Sequence, residues 1–402
     1  MVRVTDMTHG RPIRLILLFS LPLMLGSVFQ QLYTIVDTII IGRGVGMQAL
    51  ASIGAADWIN WLVLWGLQGF TQGFAILAAQ EFGAGAYDRL RRVLAMIVKL
   101  SCWFGIAVTI ISLLLVRPLL TLLHTDPAVF GGAQTYLYVQ FGGSLIIIAY
   151  NMAAAVLRCL GDSRTPLFAI IAASFANIAL DLLFVMGFGW GIFGASFATV
   201  LAQLIAFLLC LRSLRRLPFV QLTKADWKTD PAILLHLCRL GIPTGLQMSM
   251  ITLGGMVLQS VLNGFGVVFV AGYTAANKLY GILESASVAF GYAMTAYMGQ
   301  NRGARNAARI DAGIRAVLVL SAEFTAAIVT AMLVAGKPLL GLFLSTEEAG
   351  AADALAVAYQ YLMVLMAFLF ALFMLQAYRS SLQGLGEMTV PTLSGFAEML
   401  MR

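Results

Sequence analysis

Charge is scarce in this sequence. Only 11% of its 402 residues are Asp, Glu, Lys or Arg, while 60% are hydrophobic; a soluble chain carries roughly a quarter charged residues. A chain with that deficit cannot hide its apolar side chains in a water-exposed fold, so lipid must be its solvent. Histidine is also rare. His9, His124 and His236 fall in connectors or at helix ends, which argues for solvated side chains rather than metal ligands. The four cysteines, Cys102, Cys159, Cys210 and Cys238, lie in or beside apolar runs without paired spacing, so neither a disulfide framework nor a zinc site is expected.

Motifs for energy-consuming or hydrolytic chemistry are missing as well. The chain has no Walker loop, no H-E-x-x-H and no G-x-S-x-G, which excludes an ATP-driven pump or a membrane hydrolase; it reads as a non-enzyme without an organic cofactor. Gly189-Trp190-Gly191-Ile192-Phe193-Gly194 matches G-x-G-x-x-G literally. It joins two apolar runs and follows no strand, so it is no dinucleotide loop. Gly69-Phe70-Thr71-Gln72-Gly73 lies inside a span and suits close helix packing. The net charge of +7 could suit nucleic acid, but the basic residues sit in short connectors and serve as topology signals.

What the chain does have is a succession of apolar runs long enough for a bilayer, about 20 residues each. They fall near 15–41, 53–80, 93–120, 136–158, 166–188, 192–211, 234–262, 267–298, 315–335 and 355–378, with an eleventh starting at Pro391. The first continues from Leu15 to Ile41 without a small-residue cleavage site, so it reads as a retained span. With the N-terminus in the cytoplasm, Arg89/Arg91/Arg92, Arg212/Arg215/Arg216 with Lys224/Lys228, and Arg302/Arg305/Arg309 all share the inner side. The expectation is a multi-pass protein of the inner (plasma) membrane, surrounded by membrane lipids, monomeric and without a nucleic-acid partner.

The same unit is written twice, about 220 residues apart. The first copy opens near Pro22, turns at Gly44-Val45-Gly46 and ends at Gln80-Glu81-Phe82-Gly83-Ala84-Gly85. The second opens near Pro243, turns at Gly264-Phe265-Gly266 and ends at Gln300-Asn301-Arg302-Gly303-Ala304. A later pair, Leu157 to Pro166 and Leu382 to Pro391, keeps the order. The predicted fold class is therefore an all-α integral membrane protein of two repeated bundles. Residues 1–211 form a six-helix lobe, 212–232 a cytoplasmic linker, and 233–402 a second lobe cut in its eleventh helix, so that the chain is expected to lack the end of a full duplication.

Ionised carboxylates in hydrocarbon cost at least about 2.5–3.5 kcal/mol. Asp37 and Asp181 therefore need a reason to be there. Gln30, Thr34 and Asp37 are spaced i, i+4, i+7 on one face of the first helix; Asn177 and Asp181 are spaced i, i+4 on the fifth; Ser196, Thr199 and Gln203 form a polar stripe on the sixth. Converging, these groups could hold a desolvated monovalent cation or share a proton, or could tie helices together by hydrogen bonds. In the second bundle Val257 or Leu258 stands where Asp37 would repeat. That bundle offers Asn277, Lys278, Glu284 and Glu323. Lys278 with either glutamate reads equally as a structural ion pair or as a substrate or gating group. The 19 methionines suit a cavity that accepts varied apolar cations, although packing explains most of them.

Gln30 to Thr38, Gln80 to Gly85, Leu160-Gly161-Asp162 with Thr165-Pro166, Asn177 to Asp181 and Ala271 to Lys278 together resemble the multidrug and toxic compound extrusion (MATE) family along essentially the whole chain. The resemblance implies a V-shaped antiporter of two six-helix lobes that exports organic cations in exchange for H+ or Na+. In the DinF-like branch the coupling residues match Asp37, Asn177, Asp181 and Thr199. The C-lobe acids of the NorM branch meet apolar residues here, near Ile251 and Leu372, so coupling in the first lobe is expected. The same superfamily permits a lipid-linked oligosaccharide flippase, which should have a more cationic cavity; a non-transporting membrane fragment is the other alternative.

Overall fold

Proline and glycine punctuate the apolar runs and set where each helix begins and ends. The computed structural model describes residues 4–343 and 350–402, and over those residues the chain is helical, with twelve α-helices and no strand. They are α1 (Pro12–Gly44), α2 (Met47–Gly83), α3 (Tyr87–Leu122), α4 (Pro127–Gly142), α5 (Ser144–Cys159), α6 (Arg164–Asp181), α7 (Gly191–Leu214), α8 (Pro231–Leu262), α9 (Val267–Gly303), α10 (Ala307–Gly341), α11 (Ala351–Gly384) and α12 (Thr389–Met401). Pro12, Pro127 and Pro231 sit in first turns, where the missing N–H has no helical partner to lose.

The sequence repeat is a structural repeat. Helices α8 to α10 follow the plan of α1 to α3, α11 that of α4 with α5, and α12 that of α6; α2 and α9 are both 37 residues long. Even the left-handed turn after each of these two long helices recurs, at Gly85 (φ 68°) and Arg305 (φ 55°). Glycine takes that conformation freely, whereas an arginine holds it against steric cost.

Among the described residues eight helices are long and apolar enough to cross a bilayer, and α4 with α5 adds a ninth if the bent pair is one span. This corrects the predicted run 136–158. The span starts at Pro127 and bends by 50° at Gly143, where α11 continues unbroken through Ala367 and Phe368. A side chain at position 143 would collide with Val200 of α7, so the bend brings two helices close. Helix α9, expected as the eighth span, is long enough but not apolar enough. It is packed by α1, α2, α10 and α11, and Ser287, Thr295, Gln300 and Asn301 on it are buried against protein, whereas Lys278 is exposed.

The two repeats grip each other through exchanged pairs, α2 against α8 and α1 against α9. The Gly69/Gly73 motif acts as expected: added Cβ atoms there would lie 2.8 Å from the Gly245 Cα and 2.6 Å from the Gly241 Cα. At the end of the molecule that carries the basic clusters, Gly83 lies against the Gln300 carbonyl and Gly303 against the Gln80 carbonyl, leaving no room for a Cβ on either glycine. The segment before α1 seals this end. Thr5 N–H donates to the Gly161 carbonyl at 3.0 Å. Met7, fully buried, donates its N–H to Gln300 Oε1 at 2.8 Å, and its carbonyl accepts from Asn301 at 3.1 Å and Arg309 at 2.9 Å.

Candidate functional site

Helices α1, α6 and α7 pack together, and their apolar contacts include Val36, Ile40, Ile178, Ile192 and Ala195. Inside this apolar setting lie the polar residues singled out from the sequence. Asn177 is 1% exposed and Asp181 fully buried on α6, while Asp37 is half-buried on α1. Asp181 is the last residue of α6, and a π-helical turn, Leu182–Gly187, follows it directly. Such wide turns break the regular ladder and recur at functional sites. Gly189 and Gly191, both at positive φ, then lead from this turn into α7, so the literal G-x-G-x-x-G match is a helix connection.

The carboxyl groups of Asp37 and Asp181 lie within electrostatic reach of each other. With both ionised, neither can donate. Asp37 Oδ1, both carboxylate oxygens of Asp181, both amide atoms of Asn177 and Oε1 of Gln203 are buried without a hydrogen-bond partner among the described residues. A buried polar group left unsatisfied costs about 1–3 kcal/mol, more when charged. These orphaned atoms on three packed helices make this a candidate site. The donor set of carboxylate, amide and hydroxyl oxygens fits a small hard cation, and the carboxyl pair equally fits a proton.

The other predicted residues divide. Thr199 faces partly inward; its hydroxyl donates to the Ala195 carbonyl at 3.2 Å, leaving the oxygen lone pairs for a ligand. Gln30 and Thr34 are exposed, and the Thr34 hydroxyl donates back to the Gln30 carbonyl at 2.9 Å. The ion pair between Lys278 and Glu284 or Glu323 does not form. Lys278 and Glu323 are exposed, and Glu284, six residues along α9, lies on another face, near Arg402 and Glu398. Among the described residues the ion pairs of the second repeat centre instead on the half-buried Glu398, which meets Arg379 at 3.1 Å and Arg402 at 2.6 Å.

Sequence reasoning missed Asp57 on α2. It lies within electrostatic reach of Asp37, and Tyr136 of α4 is within reach of both carboxylates. Asn60, 4% exposed, donates to the Tyr136 hydroxyl at 3.3 Å, while its own carbonyl oxygen is unpartnered. The signal was present: Asp57 and Asn60 are spaced i, i+3 within an apolar span, like the pairs that were noticed. Of the two residues that could stand where Asp37 would repeat, Val257 is 60% exposed and Leu258 is half-buried, and neither carries charge.

Comparison with known proteins places this geometry in context. The profile of the family described as MatE matches residues 22–183 and again 243–402, starting at the two prolines that open the repeats. Among curated proteins, "Probable multidrug resistance protein YpnP" of Bacillus subtilis is 34% identical over 368 residues, covering 90% of this chain and 80% of its own. "Multidrug export protein MepA" of Staphylococcus aureus is 23% identical, covering 82% of this chain and 73% of its own. Two solved structures share the fold. A MATE protein crystallised in complex with MaL6 gives a TM-score of 0.91 at 24% identity, covering all of this chain and 89% of the other. An outward-facing MATE family transporter gives 0.91 at 23%, covering 99% and 88%.

Proposed function

The chain belongs to the MatE family, and from that premise we propose that it is a secondary-active exporter that moves organic cations out of the cell in exchange for H+ or Na+. The observation that carries this reading is the cluster of orphaned polar atoms on Asp37, Asn177, Asp181 and Gln203. Two adjacent carboxylates in an apolar setting repel each other and lack donors. A proton or sodium ion between them removes the repulsion and lets α1 and α6 draw together. Asn177 and Thr199 supply further oxygens for the cation. Because α1 also packs on α9 of the second repeat, a change in its position reaches the interface between the lobes.

Alternating access follows from the two repeats. In the state described, the basic end is sealed by the Gly83–Gln300 and Gly303–Gln80 contacts and by Met7. Opening that end requires these contacts to part. The coupling ion and the substrate compete through this shared equilibrium, so each lowers the affinity for the other. The basic end faces the cytoplasm in this reading, as its lysines and arginines favour. Coupling in the first lobe, as in the DinF-like branch, agrees with the apolar residue, Val257 or Leu258, that stands where Asp37 would repeat.

Thermal melting of the purified protein tests the ion site. Sodium, or a fall in pH, is expected to raise the melting temperature of the wild type, and Asp181→Asn to abolish that rise. Equal responses in the two proteins would mean that the ion acts elsewhere.

A further inference from the structure

A cavity of about 410 Å³ opens at the basic end, where α2, α3 and α8 meet. Its polar wall consists of Arg89 and Arg92, from the first turns of α3, and of Asp230 and His236 at the start of α8; Leu77 and Ile233 make it apolar on the other side. Arg239 and Arg302 lie close enough to act on the His236 ring as well. The nearby carboxylates are already engaged. Glu81 pairs with Arg89 at 3.0 Å, and Asp230 Oδ1 accepts the N–H groups of Ala232 and Ile233 at 3.0 and 3.2 Å, capping α8. Arg92, Arg239 and Arg302 form no ion pair among the described residues. Guanidinium groups with free donors beside an apolar wall match a phosphate attached to something greasy.

We propose that this cavity binds a phosphate oxyanion, borne by an acidic lipid headgroup or free in solution. The two sources share the recognition chemistry: Arg92 and His236 donate to phosphate oxygens, and Leu77 and Ile233 receive the glycerol end of a lipid. The basic end is where the positive-inside pattern brings acidic headgroups. Arg89 and Arg92 belong to the first repeat, His236 and Arg239 to the second. An anion held between them therefore braces the two repeats in the arrangement closed at this end. The inference does not depend on which ion drives transport.

Native mass spectrometry and melting in neutral detergent test it, with phosphatidylglycerol, phosphatidylcholine and inorganic phosphate as separate probes. Phosphatidylglycerol is expected to bind and raise the melting temperature where phosphatidylcholine does not. Arg92→Gln with His236→Gln, melting like the wild type in phosphatidylcholine, should bind phosphatidylglycerol about fivefold more weakly for each contact removed. Arg212→Gln with Arg216→Gln, on the same basic end, should bind it as the wild type does. A rise with inorganic phosphate that is lost in the Arg92/His236 variant supports the site with a soluble ligand. Equal losses in the two double variants, or none in either, would overturn the proposal, since binding would then be diffuse surface attraction or absent.

Discussion

Gln80 and Gln300 occupy the same place in the two repeats, and each donates its side-chain amide to the other repeat. Gln80 Nε2 reaches the carbonyl of Gly384 at 3.1 Å, and Gln300 Nε2 reaches that of Cys159 at 3.0 Å. Gly384 and Cys159 are themselves equivalent: they end α11 and α5, where the last carbonyls of a helix lack internal partners. The pair is a reciprocal clasp between the repeats.

The clasp is uneven, which leads to a prediction. Gln300 is fully buried and also accepts the Met7 N–H, whereas Gln80 is only partly buried and makes the one bond. Gln300→Ala strands a buried N–H and a buried carbonyl at about 1–3 kcal/mol each. Cys159, 1% exposed behind this contact, reports the loss. Maleimide labelling of Cys159 should be at least about tenfold faster in Gln300→Ala, the ratio for 1.4 kcal/mol, and change less in Gln80→Ala.

Arg305 holds a left-handed conformation that its counterpart Gly85 takes without cost. Arg305 is exposed, so little else is lost with its side chain. Arg305→Gly should stabilise the protein by about 0.5–1 kcal/mol, the steric relief less the added freedom of the unfolded chain. Gly85→Ala, with open space around it, should lose a similar amount. Denaturation in mixed micelles measures both.

Asp226 gives the segment between α7 and α8 a pH dependence. Its Oδ2 accepts the Thr223 N–H and hydroxyl, both at 2.7 Å, and Arg91 lies 3.7 Å away. Burial pushes this carboxyl up, but the Thr223 hydrogen bonds and the charges of Arg91 and Arg92 outweigh it and hold the group below its ordinary value of 3.8. A depressed carboxyl contributes stability that is present above its unfolded value and is lost as pH falls through the folded one. Hydrogen exchange around Lys224–Trp227 should therefore be faster in Asp226→Asn at neutral pH, and the difference should vanish in acid below the ordinary carboxylate range.

Much of this architecture was legible in the sequence, for reasons that can be named. The repeat could be read because turns and close crossings require glycine, and Gly46, Gly83 and Gly161 recur as Gly266, Gly303 and Gly386. Asp37 and Asp181 stood out because charge in hydrocarbon needs compensation. Other features depend on which helices meet. Asp57 joins the site only because α2 and α4 bring Tyr136 and Asn60 beside it. Lys278 and Glu284 looked like partners by composition, yet a spacing of six residues turns them apart. Met7 sits in an unremarkable polar stretch, and its burial comes from Gln300, Asn301 and Arg309, which lie 293 to 302 residues further along the chain.

Coupling of ion movement to export is proposed to rest on Asp37 and Asp181 together. The direct measurement is efflux of a fluorescent organic cation from proteoliposomes, driven by an imposed Na+ or H+ gradient. The wild type should respond to one of these gradients, while Asp37→Asn and Asp181→Asn, folded and inserted to the same level, should lose gradient-driven efflux by about tenfold or more, as expected when binding at a site loses at least 1.4 kcal/mol. Gradient-driven efflux at the wild-type rate in both variants would contradict the account.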